Sequence, residues 1–167
     1  MDVAALITRC RARLAEIDLP EPFDVEALCA GIGRRRGRPV ALLGAELPAG
    51  APAGMWISTE ERDYIVYERA TSPLHSEHII LHELSHLLCG HVGAPEISEE
   101  HASQLFPRLN PDLVRRVLGR SGYTSEEEQE AEMLASMISQ RAGRQRQRPG
   151  ASDPVTAGLL RRLDDAI

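Results

Sequence analysis

The chain has 167 residues, 43% hydrophobic, 26% charged and only 4% aromatic, which suits one globular domain with an aliphatic core and no need of disulfide staples. A formal net charge of −6 excludes non-specific nucleic-acid binding by the whole surface. Cys10, Cys29 and Cys89 form no CxxC pair and no apolar run approaches a membrane span, so buried free thiols, no signal peptide and a cytoplasmic location are expected.

Residues 3–17 read as an amphipathic helix, with Val3, Leu6, Ile7, Leu14 and Ile17 on one side and Arg9, Arg11 and Arg13 on the other. Pro20 and Pro22 close it. Asp24 then caps a second helix lined by Val25, Leu28 and Ile32, which the glycines at 31 and 33 are expected to stop. Two short helices imitate a helix-turn-helix, but Glu16, Asp18, Glu21 and Glu26 argue against DNA reading. The basic cluster Arg34-Arg35-Arg36-Gly37-Arg38 reads as a solvated connection, in preference to a phosphate or acidic-partner contact. It leads into a strand at 39–43. A loop at 44–54 follows, then a hairpin of strands at 55–58 and 64–69.

Pro73 opens a helix running to about Cys89, with Gly90 as its terminator. It carries His82-Glu83-Leu84-Ser85-His86. Residues four apart share a helix face, so His82 and His86 can hold one metal ion through neutral imidazoles. Glu83 lies one position along, placed to take a proton from water activated by that metal without being a ligand itself. Ile80, Leu84, Leu87 and Leu88 form the apolar stripe that buries the helix. His75 and His78 read as flanking residues, because a fourth protein ligand would close the position that catalysis needs open. The HExxHxxGxxH register fails, with Gly90 one residue late and His91 one early. His91 is instead expected to cap the helix or line the edge of the site.

Helices are expected at 98–106, from Asn110-Pro111 to Gly119, and at 125–143. The last opens on a capping box from Thr124 or Ser125 with a Glu three residues on. On this helix Glu128, Glu132 and Ala135 share a stripe, with Ala131 beside it. The small alanines permit close approach to the histidine helix. Glu128 is then the third zinc ligand, with Glu130 and Glu127 as alternatives, and Glu132 can accept a hydrogen bond from a ligand histidine. The expected organisation is a domain at 1–143, then a linker and short C-terminal helix within 144–167.

His82-Glu83-Leu84-Ser85-His86, followed by Glu128-x-x-Ala131-Glu132-x-x-Ala135, resembles the ImmA/IrrE family of zinc metallopeptidases, as do Asp24-Val25-Glu26-Ala27-Leu28 and the strand pair at 55–69. The resemblance covers residues 1–142. Where the family has E-x-x-A-N/D-x-F-A running into Leu-Met-Pro, this chain has Glu132 and Leu134 and no such ending. The resemblance implies a zincin-like α+β fold, mainly helical with a small β-sheet beside the HExxH helix. It further implies one Zn2+ held by His82, His86 and Glu128, and action on a helix-turn-helix repressor or antitoxin. The expected reaction is metal-assisted peptide hydrolysis with Glu83 as general base. Tyr123, His91 and His101 are candidate oxyanion donors by residue type. The alternative is a non-cleaving regulatory or toxin-type binding partner of such a protein. No direct contact with nucleic acid or membrane is expected.

Overall fold

The computed structural model describes residues 2–47, 50–91 and 122–147. The helices expected at 98–106 and from Asn110 to Gly119, His101, and the C-terminal helix lie outside the described residues. Among the described residues, four helices and a three-stranded sheet make an α+β arrangement in the order α1 (Val3–Ala15), α2 (Val25–Arg36), β1 (Val40–Ala45), β2 (Gly54–Ser58), β3 (Asp63–Glu68), α3 (Pro73–Cys89) and α4 (Ser125–Gln147). None of these helices is long and apolar enough to cross a membrane.

Local signals set most boundaries. The Asp2 carboxylate accepts from the Ala4 amide at 2.9 Å to start α1, and that of Asp24 accepts from Ala27 at 2.7 Å to start α2. Helix α2 does not stop at its glycines. It runs to Arg36 and ends at Gly37, whose φ of 66° is the left-handed conformation of a helix C-terminus. Gly33 has another use: a Cβ there would sit 3.0 Å from the Val40 amide nitrogen. Its bare surface lets the chain fold straight back into β1.

The sheet order is β1-β3-β2, with β1 parallel and β2 antiparallel to the central β3. Leu42 and Trp56 both register with Ile65. The Thr59 amide donates to the Arg62 carbonyl at 3.0 Å and closes the β2–β3 hairpin.

Arg36 and Arg38 are not a solvated connection. The Arg36 guanidinium donates to the buried Asp63 carboxylate at 2.8 Å, Arg38 approaches it at 3.3 Å, and the Trp56 indole N–H donates to its other oxygen at 3.0 Å. The cluster fastens the end of α2 to the first residue of β3. Asp63→Ala would strand the half-buried Arg36 guanidinium and the buried indole N–H, and would leave Arg38 only its bond to Ser58 Oγ. It should cost about 3 kcal/mol of stability in chemical denaturation, whereas a loss under about 1 kcal/mol would mean the cluster is merely solvated.

Helix α3 begins with Ser72 accepting from the His75 amide and with Pro73 at its first position, and ends at Gly90. It is packed between the sheet and α4, and its contact with α4 is the most extensive between any two described elements. Ile79, Ile80, Leu81, Leu84 and Leu87 are buried. Ala131 and Ala135, both fully buried on α4, remove the bulk that would hold the two helices apart. Helix α4 continues past Gly143 to Gln147. Residues 144–147, expected to begin a linker, therefore belong to the helix, and Arg146 pairs with Glu77 at 2.8 Å while lying over the Phe23 ring.

Candidate metal centre

One turn of α3 sets His82 and His86 side by side with their Nε2 atoms 3.1 Å apart. Helix α4 delivers Glu128, whose Oε2 lies 3.3 Å from His82 Nε2 and 3.8 Å from His86 Nε2. The other glutamates are otherwise engaged. Glu127 accepts from the Thr124 amide at 2.8 Å, with the Glu127 amide donating back to Thr124 Oγ1, which is the capping box at the start of α4. Glu130 faces Arg9, at 3.3 Å. Glu132 Oε2 lies 3.3 Å from both His82 Nδ1 and His78 Nε2. His75 and His78 line the cleft, but neither joins the His82–His86–Glu128 cluster.

These contacts suit the tautomers that a metal needs. A proton on His82 Nδ1 is placed to be donated to Glu132 at 3.3 Å, which leaves the Nε2 lone pair for an ion. His86 Nδ1 lies 2.9 Å from His91 Nδ1, and donating there likewise leaves the His86 Nε2 lone pair free. Burial, reinforced by the neighbouring His82 and His91 rings, pushes the His86 imidazole down to about 3, so it stays neutral. In those tautomers two nitrogen lone pairs and the Glu128 carboxylate face one point. Bonds of about 2.0–2.1 Å to a tetrahedral divalent ion place donor atoms about 3.3 Å apart. The residues present fit such an ion.

Glu83 lies on the same helix, buried against β2. Burial, and after it the charge of Glu128, pushes its carboxyl up to about 8, while the Trp56 amide N–H donates to it and opposes the shift. The fit against β2 depends on Gly54. A Cβ there would lie 2.5 Å from Ile79 Cγ2 and 3.0 Å from Glu83 Oε1. A lone glycine entering an apolar strand can signal such an approach, though not its partner.

Tyr123 lies on His86 in a stacked pair, ring centroids 3.6 Å apart and planes 19° apart. Its hydroxyl is buried and has no hydrogen-bond partner among the described residues. Burial, then the charges of Glu83 and Glu128, push the Tyr123 phenol well above its ordinary value, so it keeps its proton. Residue type alone could nominate Tyr123 but not reveal this stacking. The His91 amide donates to the His86 carbonyl at 3.1 Å at the end of the helix, and its ring backs the His86 ring without lining the cleft.

The centre opens into a cleft of about 480 Å³ walled by β2 and Tyr123, and into a second hollow of about 550 Å³ between α1 and α4. His82 and Glu128 line both. The ligand cluster thus has space on each side. Fold and site define an α+β protein with a two-histidine, one-carboxylate cluster able to hold a divalent cation. Compared with known proteins, the chain matches no family model, no curated protein and no solved structure.

Proposed function

We propose that the chain is a zinc-dependent endopeptidase with a zincin-like fold, similar to the ImmA/IrrE metallopeptidases, and that its substrate is a helix-turn-helix transcriptional repressor. The observation that carries the reading is the meeting of His82, His86 and Glu128 in a cleft that Glu83 also lines. The substrate class rests on the motif resemblance.

His82, His86 and Glu128 would hold the ion. When bound, zinc supplies Lewis acidity, acidifying water and polarising a carbonyl. With only three protein donors, the ion would keep room for water or a carbonyl oxygen. Glu83 takes the proton of the attacking water and returns it to the leaving amine. A bound cation's charge would oppose the upward shift that burial gives Glu83 in the metal-free chain and favour the ionised form that the base role needs. Tyr123 carries the neutral phenol whose unpartnered hydroxyl can donate to the oxyanion developing at the scissile carbonyl. Glu132 holds the orientation of His82. An extended peptide can enter through the hollow beside α4 and leave along β2, an edge strand among the described residues.

The test is incubation of the purified chain with helix-turn-helix repressors, beginning with any encoded next to its gene, with and without chelator. A chelator-sensitive cut supports the peptidase. Stable co-elution of the two intact proteins favours the non-cleaving partner. Tyr123→Phe should retain zinc but lower the cleavage rate about 10²-fold; an unchanged rate would remove Tyr123 from the oxyanion site.

A further inference from the structure

Behind His86, and outside the lining of the cleft, Cys89, His91 and Glu130 offer a sulfur, an imidazole nitrogen and a carboxylate oxygen within 4.8 Å of one another. The His91 side chain is only 6% exposed. Its Nε2 is buried with no hydrogen-bond partner among the described residues. The nearest acid, Glu130 Oε2, stands at 3.7 Å, too far for a hydrogen bond. A buried nitrogen aimed at a carboxylate and a thiol has the makings of a ligand.

We propose that Cys89, His91 and Glu130 form a second, thiolate-containing site for a divalent transition metal, and that filling it opposes filling of the His82–His86–Glu128 site. Sulfur, nitrogen and oxygen donors together suit zinc or cobalt rather than calcium or magnesium. On binding, the Cys89 thiol gives its proton to solvent. Thiolate and carboxylate then balance the two charges of the ion, with Arg9 still paired to Glu130 and Arg13 held between Glu130 and the Leu88 and Cys89 carbonyls.

The opposition between the sites rests on the reading of the first as a metal site, and it runs through one hydrogen bond. With Nε2 given to the first ion, His86 holds its proton on Nδ1 and donates to His91 Nδ1 across 2.9 Å. That bond requires the His91 proton to be on Nε2. A metal on His91 Nε2 moves the proton to Nδ1, and two N–H groups then face each other across the same gap. One arrangement must give way. The two ions compete although their donor sets share no atom, so excess metal at the second site weakens the first.

Cobalt titration of the chelator-stripped full chain tests this, because only the second site contains sulfur. In the wild type, a thiolate-to-cobalt charge-transfer band in the near ultraviolet should follow the first equivalent of metal rather than accompany it. Cys89→Ser and His91→Gln should each abolish the band and still bind one cobalt. His82→Ala should show the band at about tenfold lower cobalt. No band in the wild type at saturation, or a band that survives Cys89→Ser and vanishes in Cys10→Ser, would overturn the second site. An unshifted midpoint in His82→Ala would overturn the opposition. Failure of the first-site reading looks different: Cys89→Ser would bind no cobalt while the wild-type band persisted.

Discussion

Glu83→Gln should lower cleavage by about 10²–10⁴-fold, the usual contribution of a positioned general base, while zinc content stays at the wild-type level. The amide keeps the size of the carboxylate and can still meet the Trp56 amide, but it accepts no proton. A fully active variant would refute the assigned base. The same substitution has a second readout in metal-free protein. The folded-state carboxyl is raised from 4.5 to about 8, so the folded chain holds a proton that the unfolded chain releases. Wild-type stability therefore falls as pH rises from 4.5 towards 8, relative to a variant that does not titrate. Denaturation in chelator should show Glu83→Gln gaining on the wild type across that window and levelling off above it. Parallel profiles would mean that Glu83 is not buried as described.

Glu128→Ala should weaken zinc binding by more than the roughly 10–100-fold cost of losing an outer partner. Glu132→Ala, which removes the acceptor of His82 Nδ1, should stay within that range. Glu130→Ala should leave the first zinc in place. The ranking matters more than any single value. A larger loss in Glu132→Ala than in Glu128→Ala would exchange the roles of the two carboxylates. Zinc content after gel filtration and competition with a chromogenic chelator would read the series.

The histidine helix was legible because its signals are local. Ser72, Pro73 and Gly90 mark its ends, and the spacing of four sets its ligand face. The stripe of Glu128, Ala131, Glu132 and Ala135 was legible for the same reason. The choice among Glu127, Glu128 and Glu130 was harder, since neighbouring positions on a helix point about 100° apart. The Thr124–Glu127 capping box sets that phase, and the sequence offered it beside a Ser125 alternative that competes with it.

What failed to show was long-range. Gly33 has the composition of a helix stop but serves a close approach to Val40 that appears only once β1 folds back. Arg36 and Arg38 look like solvated charges until Asp63, far along the chain, is brought under them. The stacking of Tyr123 on His86 and the meeting of Cys89 with Glu130 likewise depend on where α4 begins against the end of α3. Periodicity carries no information about such meetings.

The most direct measurement is an anomalous difference map at the zinc edge from crystals of the zinc-loaded chain. The account predicts an ion about 2.0–2.2 Å from the Nε2 atoms of His82 and His86 and from the Glu128 carboxylate, with a non-protein ligand completing its shell. A zinc-loaded crystal with no peak between those three groups, or a peak there sealed by a fourth protein side chain, would contradict it.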